Sequence, residues 1–316
     1  MRTRKLGNTD LQLSVVGFGS WAAGGPDWKA GWGPQDDNDS IAAIHKAIDC
    51  GVNWIDTAAI YGLGHSETVV GRAVAGLKTR PIIATKCGRR QSEDKQLYGD
   101  LRPEFIRQEC ENSLKRLKIE RIDLYQVHWP QPDEQVEGAW TEIGKLIAQG
   151  KVRYAGVSNF DAKQLKRAQS IRPIASEQPP YNMLRREIEA EILPYCKANN
   201  IGVLAYSPMQ HGLLTGAFTR ERIDGLPSSD FRLNNPRFQE PEVSRALNIV
   251  EQLKVVAANN NLTCSQLAIA WTLRREEVTS SIVGVRRPDQ IVETAKAGDV
   301  VLSADTLGEI ERILAV

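Results

Sequence analysis

RIDLYQVHWPQPDEQVEGAWTEIGKLIAQGKVRYAGV, residues 121–157, contains the unit whose reading decides the fold. Ile122–His128 is a short apolar run, Gln135–Ala148 has helical spacing, and Val152–Val157 is a second apolar run. Strand, helix and strand at such close quarters describe a crossover, which joins parallel strands. The pattern repeats in both directions. Upstream, an N-terminal hairpin is predicted from Lys5-Leu6, a Gly7-Asn8 turn and Leu11–Leu13. Strand Val15–Gly19, helix Asp39–Cys50, strand Val52–Asp56, helix Ser66–Val74, strand Pro81–Lys86 and helix Pro103–Leu117 follow. Pro103 suits a first helical turn, where its missing N–H costs nothing.

Downstream lie helix Asp161–Ala168, strand Ile174–Glu177, helix Ile188–Lys197 and strand Ile201–Ala205. Residues 217–241 are rich in Pro, Asn, Ser, Arg and Asp without a clear period, and read as a long surface loop. Helices Ser244–Ala258 and Ser265–Arg274, strand Ser281–Val285 and helices Pro288–Ala297 and Ser303–Leu314 complete the chain. Eight strands, each followed by helix, predict an α/β fold: a (β/α)8 TIM barrel with an N-terminal β-hairpin and additional C-terminal helices. No Pro/Ser-rich linker interrupts it, so residues 1–316 are expected to form a single domain. The doubly wound open sheet is the rival, but Gly17-Phe18-Gly19 lacks the third glycine of its phosphate-binding turn.

The 316 residues carry 40 Lys+Arg against 39 Asp+Glu. With charge so balanced and no basic tract, no nucleic-acid partner is expected. No apolar run approaches the roughly 18 residues of a membrane span, and the start lacks a secretory apolar segment, so no membrane association is expected. Five cysteines without a C-x-x-C pair suggest reduced thiols in a cytoplasmic protein. Four histidines without H-x-x-x-H spacing leave no expected metal site. Oligomeric state is not legible, because no heptad or exposed apolar face stands out.

In such a barrel the reactive residues lie at the C-terminal strand ends and in the loops after them. Strand two ends at Asp56 with Tyr61 beyond, strand three at Lys86 and strand four at His128-Trp129. Trp54 and Asp56 share a face, as do Ala84 and Lys86, and Gln126 and His128, so the three ends can converge. Each residue has a structural alternative. Asp56 can cap a turn, Tyr61 anchor a loop, Lys86 sit at the surface and His128 be a satisfied core histidine. Their joint occurrence at successive strand ends favours chemistry. A phenol ionises near pH 10, and a neighbouring ammonium favours the phenolate. Tyr61 can thus deliver a proton, Lys86 can make it more acidic, Asp56 can keep Lys86 charged, and His128 can bind a carbonyl oxygen. His45 and His65 read as structural, and His211 is left unassigned.

The stretch GVNWIDTAAIYG (51–62), continued by GHSETVVG (64–71), strongly resembles the aldo-keto reductase signature. IATK (83–86), DLYQVHWP (123–130), GVSNF (156–160), QPPYN (178–182) and AYSP (205–208) match further motifs of that family in order. The chain looks most like its bacterial branch, related to general stress reductases and potassium-channel β-subunits. The resemblance implies an NADPH-dependent oxidoreductase that reversibly reduces small aldehydes and ketones. It also implies that Tyr61, Lys86, Asp56 and His128 form the catalytic tetrad. Among its cofactor contacts are Gly19, Ser20, Trp21 and Asp56. Ser158, Asn159 and Gln178 hold the carboxamide, and Tyr206 stacks on the nicotinamide. Ser207, Pro208, Met209, Gly212 and Leu213 follow the pyrophosphate.

At the adenosine end, a Lys-Ser pair and a later Arg common in relatives are replaced by Gly284, Val285 and Gln290, while Glu293 is retained. Arg286 can replace the lost cations, and Arg287 is either a second cation or a solvated loop residue. NADP(H) is favoured, with NAD(H) as a second cofactor. Five of the seven tryptophans precede residue 130. Trp54 is expected in the barrel core. Trp21, Trp28, Trp32 and Trp129 are expected to form, with Tyr61 and His128, an aromatic substrate pocket, open because no long C-terminal extension covers it. Two other readings share these residues: a cofactor-binding regulatory subunit with little turnover, and a Schiff-base aldolase using Lys86. The charged state that Asp56 imposes on Lys86 argues against the second.

Overall fold

A computed structural model describes residues 1–227 and 230–315. The N-terminal strands β1 (Thr3–Lys5) and β2 (Gln12–Ser14) pair antiparallel. Then follow β3 (Val16–Gly19), α1 (Asp37–Asp49), β4 (Trp54–Asp56), α2 (His65–Val74) and β5 (Ile82–Cys87). A second hairpin, β6 (Arg89–Gln91) and β7 (Leu97–Gly99), precedes α3 (Pro103–Leu117). The alternation resumes with β8 (Ile122–Val127), α4 (Val136–Ala148), β9 (Val152–Ser158), α5 (Ala162–Ile171), β10 (Ser176–Gln178), α6 (Ile192–Ala198) and β11 (Gly202–Ala205). The chain ends with α7 (Arg220–Asp224), α8 (Glu242–Asn259), α9 (Cys264–Thr272), β12 (Val278–Gly284), α10 (Pro288–Ala295) and α11 (Ala304–Leu314). β3, β4, β5, β8, β9, β10, β11 and β12 close in that order into a parallel eight-stranded barrel, as the alternation predicts.

Two apolar layers hold it. Inside the barrel, Trp54, Ala84, Leu124, Ala175, Leu204 and Ile282 pack together, with Leu6, Leu11 and Leu13 as a plug. Trp54 fills the interior as expected, donating Nε1 to the Ser14 carbonyl and to Ser280 Oγ, both at 3.1 Å. Gly17 makes room for it: a Cβ there lies 2.2 Å from the indole. Outside, the helices cover the opposite strand faces in one continuous core, with Val70, Ile106, Ile143 and Leu193 among its members.

Several boundaries differ from the sequence reading. The first hairpin is not closed by a two-residue turn: Leu6 and Leu11 both enter the plug, which lengthens the connection. Pro194 lies in the first turn of α6, and the expected helix from Ile188 divides into a 3-10 turn, Glu187–Glu189, and α6. The eighth barrel strand begins at Val278. The segment 217–241 is not a structureless loop. It contains α7 and 3-10 turns Phe231–Asn234 and Pro236–Phe238, and Phe218, Ile223 and Phe238 pack with Leu213, Val243 and Ala246. Each piece is too short to show a period. Ser228 and Ser229 lie outside the described residues. All five cysteines are free thiols. Among the described residues no helix is long and apolar enough to cross a membrane, and no cluster of ligating side chains suits a metal ion.

Candidate active site

The barrel register sets the site. Gly19 pairs with Asp56, Asp56 with Ala84, Lys86 with Gln126, and Ser158 with Gln178, which brings the C-terminal strand ends to one rim. Thr57 N donates to the Ala84 carbonyl at 2.9 Å and His128 N to the Cys87 carbonyl at 2.9 Å, extending the ladder into the loops. Tyr61 opens a 3-10 turn in which Gly62 has φ +58°. A Cβ on Gly62 lies 2.1 Å from the Gly24 carbonyl oxygen, so this glycine lets the Tyr61 loop press against the loop after β3.

The four expected catalytic residues come together. Lys86 Nζ, whose side chain is 0% exposed, donates to Asp56 Oδ2 at 2.6 Å, the Thr57 carbonyl at 2.9 Å and Tyr61 Oη at 3.2 Å. An ammonium has three N–H bonds, and all three are engaged. Because Lys86 donates into the phenol oxygen, the Tyr61 O–H is left to donate elsewhere. The His128 ring packs edge-on to Tyr61, centroids 5.7 Å apart, and its buried Nδ1 has no partner among the described residues.

The electrostatics follow from burial. Burial lowers the Lys86 ammonium, but the Asp56 carboxylate and then the phenol more than offset this, and it stays charged. Burial holds His128 well below its ordinary value, helped by Lys86 and Arg89, so it is neutral near pH 7. The expectation that Lys86 makes Tyr61 more acidic is corrected. Lys86 does act in that direction, but burial, assisted by Asp56, outweighs it and raises the phenol. The site thus presents a protonated phenol.

A cleft of about 950 Å³ opens above the tetrad. It is lined by Asp56, Tyr61, His128, Ser158, Asn159, Gln178, Tyr206, Ser207, Pro208, Met209 and Gly212. Gly19, Trp21, Trp28, Trp32, Trp129, Gly284, Arg286, Gln290 and Glu293 also line it. Ser20 and Leu213 are placed differently. Ser20 turns its hydroxyl to the Asp56 carbonyl and Ser66, and Leu213 packs in the apolar cluster of Phe218.

One polar network ties the rim together. Tyr206 donates its hydroxyl to Asn159 Oδ1 at 2.9 Å, and Asn159 Nδ2 donates to the His128 carbonyl at 3.0 Å. Gln178 Nε2 donates to Asp56 Oδ1 at 2.8 Å and to Gln126 Oε1 at 3.4 Å. Gln126 shares a strand face with His128, and that alternation is the sequence signal that places it in the network. His211 and Phe231, the latter carrying no signal in its short segment, join the aromatic wall, their rings 5.8 Å and 5.2 Å from Trp21.

The far end of the cleft differs from the expected cation cluster. Arg286 donates Nε to Gln35 Oε1 at 2.8 Å, Nη1 to the Trp32 carbonyl at 3.2 Å and Nη2 to the Pro34 carbonyl, while Gln35 Nε2 returns a bond to the Arg286 carbonyl at 2.9 Å. It clasps the loop after β3. Arg287 pairs with Asp289, and both are exposed. Asp36, Asp39, Asp289 and Glu293 add carboxylates to this end.

A profile described as the Aldo/keto reductase family matches residues 15–315. The chain belongs to the aldo/keto reductase family. It is 36% identical to the aldo-keto reductase YhdN of Bacillus subtilis over 99% of its length and 94% of that protein. It is also 36% identical to the NADH-specific methylglyoxal reductase of Escherichia coli, over 96% and 95% of the two chains. Among solved structures, the glycerol dehydrogenase AKR11B4 from Gluconobacter oxydans superposes with a TM-score of 0.90 at 37% identity, covering 99% of this chain and 95% of that one. This aldo-keto reductase is therefore an oxidoreductase that uses NAD(P)H for reversible carbonyl reduction, and the regulatory-subunit reading is not favoured.

The residues present fit such a cofactor. The cleft runs continuously from Tyr61 to Glu293. Gly284 leaves open space where a Cβ would stand, and Ser207, Gln210, His211 and Gly212 all have positive φ, a backbone of the kind that forms anion-binding concavities.

Proposed function

We propose that this aldo-keto reductase reduces small aldehydes, dicarbonyls and short hydroxy-aldehydes, with Tyr61 as proton donor, in the cytoplasm and as a single catalytic domain. Bound nicotinamide supplies the hydride. The substrate oxygen lies between the Tyr61 hydroxyl and His128, which fix the carbonyl and stabilise the charge that develops on it. As that charge grows, the Tyr61 proton passes to the oxygen, and Lys86, held by Asp56, stabilises the phenolate left behind. Trp28, Trp129 and the Tyr61 ring wall the substrate end.

Lys86 donating into the Tyr61 oxygen at 3.2 Å is the observation that carries this reading, because it leaves the phenol proton for the substrate. Both NADPH and NADH serve. The Arg286 donors already face carbonyls, and the carboxylates at this end suit ribose hydroxyls. Steady-state oxidation of NADPH and NADH with methylglyoxal and glyceraldehyde, in wild type and Tyr61→Phe, tests it. The variant is expected to retain cofactor binding and lose about 10²–10⁴-fold in kcat, the range of one proton-transfer catalyst. Unchanged turnover in Tyr61→Phe assigns the proton to another group.

A further inference from the structure

Arg89 opens β6, two residues beyond the strand that carries Lys86, and lines the same cleft as Tyr61 and His128. Its neighbour Arg90 pairs with Asp100 at 3.1 Å. Arg89 has no such partner: among the described residues no carboxylate lies within 4.0 Å of its guanidinium. Among the described residues its side chain makes one hydrogen bond, from Nη1 to Gln131 Oε1 at 3.2 Å. Gln131 follows Trp129-Pro130, so the guanidinium reaches from the end of β5 to the loop just past His128. Burial lowers its pKa, and its field contributes to keeping His128 neutral.

Trp28 makes an independent observation. It is 5% exposed, lines the cleft, stands 5.8 Å from the Tyr61 ring, and its Nε1–H has no acceptor among the described residues. Of the lining carboxylates, Asp56 already spends one oxygen on Lys86 and the other on Gln178. The remaining lining carboxylates, Asp36, Asp39, Asp289 and Glu293, belong to the segments that form the α1 and α10 side of the cleft. Among the described residues, what is unsatisfied around Tyr61 is therefore the Trp28 N–H, the His128 Nδ1 and one positive charge without a carboxylate. A partly buried guanidinium without a counter-ion is costly unless a ligand completes it, and its fork of donors matches a carboxylate.

We propose that Arg89 is a specificity residue that binds the carboxylate of a short oxo acid whose carbonyl stands at Tyr61. This rests on the proton-donor reading above. The carbonyl carbon gains a hydride and its oxygen gains the Tyr61 proton, so the C=O becomes a secondary or primary alcohol, the nicotinamide is oxidised and the carboxylate is unchanged. The product is a hydroxy acid.

The test compares kcat/KM for matched carbonyl pairs at low ionic strength. Glyoxylate, pyruvate and succinate semialdehyde are set against acetaldehyde, acetone and butanal, with glyceraldehyde and its phosphate as a further pair. Wild type is expected to prefer at least one carboxylate partner by about tenfold to hundredfold, the value of one hydrogen bond between charged groups, and added salt weakens the preference. In Arg89→Gln the preference disappears through a KM raised for the carboxylate substrates well beyond any change shared with the neutral aldehydes; Arg89→Lys retains part of it. Wild type without a preference overturns the proposal. So does a preference confined to the phosphate, or an Arg89→Gln loss shared equally by neutral substrates. The proton-donor reading fails separately, through a Tyr61→Phe enzyme that still turns over neutral aldehydes.

Discussion

Gln178 donates Nε2 to Asp56 Oδ1 at 2.8 Å, on the oxygen that Lys86 leaves free, across 122 residues of sequence. Asp56 is thus held from two sides, and Gln178 supports the ion pair in addition to lining the cleft. Gln178→Leu leaves that buried carboxylate oxygen without its donor, at a cost of about 1–3 kcal/mol. The expected outcome is a lower denaturation midpoint together with a lower kcat, read from urea melts and NADPH oxidation. An enzyme with wild-type stability and only a raised cofactor KM shows that Gln178 serves the cofactor alone.

The Lys86–Asp56 pair is buried on both sides, with side chains 0% and 4% exposed. Lys86→Met strands a buried carboxylate and is expected to destabilise the protein by about 3–5 kcal/mol. Adding Asp56→Asn removes the stranded charge, so the double variant recovers most of the stability and none of the activity. If the double variant is no more stable than Lys86→Met, the penalty comes from packing instead.

Glu109 gives the stability curve an alkaline slope. It lies 8% exposed behind the rim, accepts from Gly88 N at 2.7 Å, and burial pushes its carboxyl up to about 8. The folded state keeps the proton that an unfolded glutamic acid releases near 4.5. Between those values the unfolded state binds fewer protons, so stability falls as pH rises. Glu109→Gln has no proton to lose. It is expected to match wild type near pH 4.5 and to melt at a higher temperature near pH 8, in thermal scans across that window. Parallel curves for the two proteins would falsify this assignment.

Arg286 directs its guanidinium to Gln35 and to the carbonyls of Trp32 and Pro34, tying the loop after β3 to the end of β12. Arg286→Ala is therefore expected to raise the KM for NADPH and NADH by a similar factor, because what is lost is the loop. A loss confined to NADPH, in paired titrations, shows that the arginine turns to the ribose phosphate instead.

Much of the site was legible in the chain because it depends on local geometry. The two-residue alternation of a strand puts Asp56, Lys86 and His128 on equivalent faces, and the strand–helix repeat puts their ends on one rim. The second hairpin was not legible: RRQ and LYG in β6 and β7 carry no apolar alternation, and pairing of Arg89 with Gly99 holds them. Phe231 and His211 were equally hidden as partners of Trp21, since their segments meet only above a closed barrel.

What this sequence determined by itself is the eight-fold alternation and the identity of the three groups at its strand ends, with Tyr61 in the loop just beyond, because periodicity is a property of each segment alone. Tertiary structure decided which donors remain available. Barrel closure occupied Arg286 with loop carbonyls, gave Asp56 to Gln178, left Arg89 without a carboxylate partner among the described residues, and buried Tyr61 enough to keep its proton. Those outcomes depend on distances between segments far apart in the chain, and on how much water each group loses when they meet.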